Sequence, residues 1–236
     1  LKTSWDKIAI IGAMDEEIHY FQEEMNVVEN IQIAGIHYIS GTWLGQDIVL
    51  CKCGVGKVNA AVCTQVLIDK FAVEAIIFTG VAGALNPALD IGDIVISVDC
   101  LQHDMDASPL GFERGVIPFH ERSTFTADRF LVDKAYEASK AAFSGKVIKG
   151  TILSGDQFIA DRTKVQWLHE HLHGDCTEME GAAVAQVCDM NDIPFVIIRS
   201  MSDRADGAAD VNFTEFTKLA AEHSFQIVRL LLSSQS

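Results

Sequence analysis

Short apolar runs rich in β-branched residues alternate along the chain with longer stretches in which apolar side chains recur every three to four positions. That exchange of strand-like and helix-like periods is the pattern of an α/β sheet. Ile8–Ile11 reads as the first strand and passes through Gly12-Ala13-Met14 into a helix that opens on Asp15-Glu16-Glu17, with Ile18, Phe21 and Met25 on one face. Three acids in a first turn suit the positive end of a helix dipole, so capping alone accounts for them at this level. Residues 31–53 alternate around Gly35, Gly41 and Gly45 as hairpin strands do. Gly54-Val55-Gly56-Lys57 then leads into a helix with apolar positions Val58, Ala61, Val62, Val66 and Leu67. Its glycines match neither the dinucleotide fingerprint nor the Walker spacing, which leaves a glycine turn between strand and helix.

Further strands are expected at Ala75–Phe78, Asp93–Val98, Lys146–Leu153 and Pro194–Ile198. Helices are expected near Asp128–Ala142 and Thr163–His171, from Gly181, and from Phe213 to the C-terminus. Thr79-Gly80-Val81-Ala82-Gly83 is a run of small residues at a strand end, where a ligand can approach the backbone. The stretch 103–125, punctuated by Pro109, Gly111, Gly115 and Pro118, is longer than a plain connection and is expected to be a lid or an interface.

The chain has 236 residues, 49% of them hydrophobic and only 4 prolines, and no linker-like stretch divides it. One α/β domain over 1–236 is expected, with 1–6 as a flexible lead. A formal charge of −15 argues against nucleic acid or an anionic membrane as partner. No apolar run approaches the roughly 18–20 residues of a membrane span, and the lead lacks a signal peptide's apolar segment, so a cytoplasmic protein is expected. The 6 cysteines sit in apolar segments, as reduced buried thiols do. Cys51 and Cys53 lack a second Cys/His pair at zinc-site distance, and His169, His171 and His173 read as a solvated helix end; neither metal nor cofactor is expected.

Chemistry concentrates in the last third. Glu178 and Glu180 lie two apart before Gly181, and Arg199, Ser202 and Asp203 follow the apolar run that ends at Ile198. Charges at a buried strand's end must pair with one another or with a ligand, and these residues alone leave both a structural network and a site open. With Glu17 they supply carboxylates that one sheet can gather, and a general acid with a general base can break a glycosidic bond. No G-x-S-x-G elbow competes, and no cysteine has a histidine partner in sequence.

Seven blocks, in order along nearly the whole chain, resemble the bacterial 5′-methylthioadenosine/S-adenosylhomocysteine nucleosidases: 10–17 (Ile-Ile-Gly-Ala-Met-Asp-Glu-Glu), 54–58 (Gly-Val-Gly-Lys-Val), 79–83 (Thr-Gly-Val-Ala-Gly), 102–106 (Gln-His-Asp-Met-Asp), 154–159 (Ser-Gly-Asp-Gln-Phe-Ile), 178–182 (Glu-Met-Glu-Gly-Ala) and 199–203 (Arg-Ser-Met-Ser-Asp). The resemblance implies a three-layer α/β/α fold with a mixed, partly barrel-like sheet, of the nucleoside phosphorylase type. It implies that Glu17 activates water and Asp203 protonates the adenine leaving group. Glu180 would take the ribose hydroxyls over Met179, Phe158 would stack on adenine, Ile159 would hold it through its backbone, and Gly83 would let the chain pass close by. Arg199, Ser202 and Glu178 would orient these carboxylates. Val55, Leu110, Pro118 and Phe213 would form an alkylthio pocket shared across a homodimer. Val81 stands where many members have serine, and Leu110 where an aromatic is common. Gln102 and Gln157 are similar to members that also cleave 6-amino-6-deoxyfutalosine. A phosphorolytic enzyme of the same fold and a non-catalytic adenosine-binding module stay open beside hydrolysis; the carboxylate of Glu17 would repel phosphate. His103 divides evenly between a loop anchor and a site residue.

Overall fold

The strand-and-helix alternation forms ten strands and six helices among the described residues, which in this computed structural model are 4–205 and 209–233, with side chains from 216 onward in the last helix. In chain order they are β1 (Lys7–Gly12), α1 (Asp15–Glu24), β2 (Asn26–Ile33), β3 (Ile36–Trp43), β4 (Gln46–Lys52), α2 (Lys57–Phe71), β5 (Ala75–Ala84), β6 (Ile94–Gln102) and β7 (Thr124–Thr126). There follow α3 (Arg129–Ala142), β8 (Val147–Ser154), α4 (Arg162–Leu172), β9 (Cys176–Glu178), α5 (Gly181–Met190), β10 (Phe195–Asp203) and α6 (Ala209–Ser233).

The sheet runs β2-β3-β4-β1-β5-β9-β8-β6-β10, and β10 also pairs with β5. Strands β5, β9, β8, β6 and β10 therefore close a ring from which the β1–β4 half extends. Parallel pairs β1/β4, β1/β5, β5/β10 and β6/β8 mix with antiparallel β2/β3, β3/β4, β5/β9 and β6/β10. This is the three-layer α/β/α architecture with a partly closed mixed sheet. α6 packs on β10 and β5 with α1 and α3 beside it, while α2 and α5 pack together.

Several elements differ from expectation, each for a physical reason. β5 does not stop at Phe78 but continues to Ala84, and β10 carries Arg199–Asp203 as strand; every residue of both is buried. Ring closure gives their ends backbone partners, with Arg199 opposite Gly80 and Asp203 opposite Gly83. β9 was not foreseen, because three residues carry no period. Within α2 the buried positions are Ala60, Cys63, Thr64 and Leu67, whereas Val58 and Val62 are 74% and 39% exposed. Small side chains bring that helix against β4, where Cys63 Sγ lies 3.2 Å from Cys51 Sγ. Of the expected flexible lead, 1–3 lie outside the described residues, and Trp5 is instead buried beside Phe130. All six cysteines are buried and free of disulfides. No helix among the described residues is long and apolar enough to cross a membrane.

Phe21 fixes α1, and so the position of Glu17, by packing edge-on against Trp43 of β3 and Phe225 of α6, at centroid distances of 5.3 and 5.0 Å. Its ring is fully buried. Phe21→Ala is expected to cost about 3–5 kcal/mol of stability, read as a lower urea midpoint at unchanged slope. A shift worth under about 1 kcal/mol would mean that the cluster does not hold α1.

Candidate active site

The β1–α1 turn, the end of β5, the β9–α5 junction and the end of β10 converge on one cleft of about 290 Å³, flanked by residues 157–159 from the β8–α4 connection. The parallel strands β1, β5 and β10 all point their C-terminal ends at it, where α/β sheets leave a crevice. Glu17, Val55, Gly83, Phe158, Ile159, Glu178, Met179, Glu180, Ser202 and Asp203 all line it. Leu110 and Pro118 do not line it; Leu110 stands 72% exposed on the 103–123 connection. The side chain of Phe213 lies outside the described residues.

Glu17 begins as an N-terminal helix residue and ends as a buried acid. Its Oε2 accepts from the N–H groups of Ala13 (2.6 Å) and Met14 (3.0 Å), and its Oε1 from Val81 N–H (3.0 Å). The capping expected of the acidic cluster is thus real, but it fixes a side chain only 3% exposed in the cleft wall. Burial raises the Glu17 pKa above the ordinary carboxylate value, against the opposing pull of Arg199 and the three N–H donors. Two glycines make room for it. A Cβ on Gly80 would lie 2.5 Å from Glu17 Oε1 and 2.9 Å from Arg199 Nη1, and one on Gly12 would lie 2.6 Å from Ile18 Cγ2.

The two glutamates flanking Met179 have parted roles. Glu178 turns inward: Arg199 Nη2 donates to it at 2.5 Å, Gly181 N–H at 2.8 Å, and the Ser154 hydroxyl also donates to it. Glu180 faces the cleft, and its Oε1 accepts from Gly56 N–H at 2.9 Å. Burial first, and the Glu178 charge second, push Glu180 up to about 8, while Arg199 and Gly56 pull the other way. Glu178 and Arg199 thus form the internal network, while Glu180, held to Gly56 N–H, faces the cleft.

Asp203 is held through both oxygens. Ser202 Oγ donates to Oδ2 at 2.9 Å and Ala205 N–H to Oδ1 at 2.6 Å. Gly83 lines the cleft, yet its missing side chain makes room first for this acid, because a Cβ there would lie 2.7 Å from Asp203 Oδ1. Met179 and the buried Ile159 form the apolar floor and wall, while Phe158, 51% exposed, stands at the mouth. His103 does not line the cleft: its ring is buried against Gly155, and burial lowers its pKa to about 4. Sequence reasoning missed the donors Ala13, Gly56 and Ser154 and the clearances at Gly12 and Gly80. Backbone donors carry no side-chain signal, although glycines at fixed strand ends hint at close approach.

Residues 7–233 match the phosphorylase superfamily. A 5′-methylthioadenosine/S-adenosylhomocysteine nucleosidase of Shewanella sediminis is 43% identical over 228 residues, which cover 96% of this chain and 98% of that protein. The structure resembles that of the nucleosidase of the same name from Neisseria meningitidis in complex with methylthio-immucillin-A, with TM-score 0.92, 38% identity, and coverage of 97% of this chain and 99% of that one. It also resembles a mutant futalosine hydrolase of Helicobacter pylori, with TM-score 0.92, 31% identity and the same coverage of 97% and 99%.

The elevated Glu180 acid makes stability depend on pH with a defined sign. The folded protein holds a proton that the unfolded chain releases at about 4.5, so this group's contribution is full below that pH and is lost as pH rises through about 8. In Glu180→Gln that loss is absent. The melting temperature of the variant minus that of wild type should therefore grow as pH rises across this window; a constant difference would contradict the assignment.

Proposed function

We infer that this chain, which belongs to the phosphorylase superfamily and within it to the 5′-methylthioadenosine/S-adenosylhomocysteine nucleosidases, hydrolyses the N-glycosidic bond of those two substrates to adenine and the corresponding thioribose. The observation that carries the chemistry is the pair Glu17 and Asp203. Both line one cleft, each is oriented through both carboxylate oxygens, and no Lys or Arg side chain lines the cleft among the described residues. Phosphate would need cationic or backbone donors and would meet the carboxylate of Glu17 instead, so water is the favoured nucleophile.

In this mechanism the ionised Glu17 takes a proton from water as the water attacks the anomeric carbon, and Asp203 protonates or hydrogen-bonds N7 of the departing adenine. The sugar passes through an oxocarbenium-like cation, which carboxylates on the cleft wall stabilise. Glu180 receives the ribose hydroxyls above Met179. Phe158 stacks on the purine, and the backbone of Ile159 fixes its edge. Arg199 acts beneath the cleft through Glu178 and through its field on Glu17. No cofactor enters these steps. The likeness to futalosine hydrolase supports 6-amino-6-deoxyfutalosine as an additional substrate, since its cleavage breaks the same adenine–ribose bond and asks only for room at the 5′ substituent. We place the reaction in methionine salvage in the cytoplasm.

The active form is a homodimer on this reading. Val55 at the cleft mouth, Val58 and Val62 on α2, and Leu110 and Phe119 on the 103–123 connection are large apolar side chains left 39–94% exposed. Such residues call for a covering surface. A second copy would complete the alkylthio pocket with Leu110, Pro118 and Phe213.

Methylthioadenosine incubated with the protein should release free methylthioribose whether or not phosphate is present; a phosphorylated sugar would establish phosphorolysis, and no turnover a binding module. Glu17→Gln and Asp203→Asn should each lower turnover about 10²- to 10⁴-fold. A Glu17→Gln protein with near wild-type turnover would remove the water-activating role.

Sedimentation at micromolar concentration should give a dimer. Mixing inactive Asp203→Asn with an inactive variant whose 103–123 connection blocks the neighbouring pocket should restore activity through hybrids that hold one intact site. A fully active monomer would refute the shared pocket.

A further inference from the structure

The β8–α4 connection carries Phe158 and Ile159; Gly155 N–H holds its start to Glu178 O, Ile159 packs in a buried apolar cluster, and Asp156 fastens it to α2 and to the 103–123 connection. Asp156 Oδ1 accepts the N–H of Lys57, the first residue of α2, at 2.8 Å. The adjacent N–H, that of Gly56, is the one that anchors Glu180. Gly56, at φ +99°, has no side chain with which to cap α2, and a Cβ there would lie 3.2 Å from Asp156 Oδ1. A helix N-terminus favours a carboxylate acceptor, and here a different connection supplies it.

A second fastening lies behind the first. Asp156 N–H donates to Asp104 Oδ2 at 2.9 Å, and Lys57 Nζ lies 2.6 Å from Asp104 Oδ1 and 3.0 Å from Gln102 Oε1. The Lys57 and Asp104 side chains are only 18% and 15% exposed, so this pair is shielded from solvent more than a surface ion pair is.

We propose that Asp156 is a positioning residue whose carboxylate, capping α2 from the purine-binding connection, sets Phe158 and Ile159 against Glu180 as one body, with the Lys57–Asp104 pair as its brace. The inference deepens the nucleosidase reading and rests on it. Purine and ribose are joined rigidly in the substrate, so the two surfaces that receive them must keep a fixed separation, and a displaced connection would weaken binding before it touched the chemistry. A cap that served α2 alone would stabilise the helix without affecting substrate affinity.

Steady-state kinetics on methylthioadenosine separates these cases. Asp156→Ala should raise KM about tenfold, the equivalent of a lost cap, while kcat falls less than about threefold. Asp156→Asn keeps an amide oxygen for the Lys57 N–H and should recover most of the loss. Phe158→Ala should cost less in the Asp156→Ala background than in wild type, because the ring has already lost its placement. A lowered melting temperature with unchanged KM, or strictly additive losses with Phe158→Ala, would overturn the proposal. If Asp156→Ala does not fold, Lys57→Met, which keeps the backbone donor, should raise KM about threefold, and an unchanged KM there would overturn it equally. Wild type without turnover would instead refute the nucleosidase reading, and this inference with it.

Discussion

The cleft is arranged about one buried cation. Arg199 is 1% exposed in the middle of a closed ring of strands, a position where an unpaired charge costs several kcal/mol. Glu178 neutralises it at 2.5 Å, and the Phe78 ring lies 4.1 Å from the guanidinium carbon. Because Glu178 also receives Gly181 N–H and the Ser154 hydroxyl, the same pair ties β10 to the β9–α5 junction and to β8. Its geometry decides which carboxylates remain for other work. With Glu178 engaged as the counterion, Glu17 and Glu180 are left in the cleft wall with their acidity weakened by burial and moderated by the same Arg199 field.

The glycines follow from this crowding. Gly80 lies opposite Arg199 in the β5–β10 register, where any side chain would collide with both Arg199 and Glu17. Gly83 lies opposite Asp203 after the irregularity between Met201 and Asp203 and leaves the acid its place. The run Thr79–Gly83, which in isolation reads as a strand end open to a ligand, is buried strand throughout, made small so that acids can stand beside it.

These relations separate what was legible in the chain from what was not. The strand and helix alternation, the Glu17 helix and the acidic positions 178, 180 and 203 could be read, because burial and charge select residue types that periodicity exposes. The extent of β5 and β10, the three-residue β9 and the buried side of α2 could not. Each depends on which element lies alongside, and the small residues Ala60, Cys63 and Thr64 resemble no apolar stripe. Residue type and spacing alone leave Glu178 and Glu180 equivalent, and only the family resemblance separates them in sequence; in the fold Arg199 pairs with Glu178. Seven ordered blocks conveyed the family because they preserve these acids and glycines together, whereas Leu110 and Pro118 stand clear of the cleft within one chain and could gain a role only across two.

The same electrostatics bears on why such a cleft would favour a sugar cation over an anion. Burial raises Glu17 and Glu180 because nothing nearby fully replaces the water that would solvate their charge. On the proposed mechanism a ribosyl centre gaining positive charge would supply that missing compensation at the moment it forms, so an ionised Glu17 would be stabilised more in the transition state than before it. An incoming phosphate would do the opposite, adding negative charge to a wall already short of cations. The penalty of burying the acids thus discriminates between the two nucleophiles, and water, neutral on arrival and needing only a base, is the one it leaves favoured.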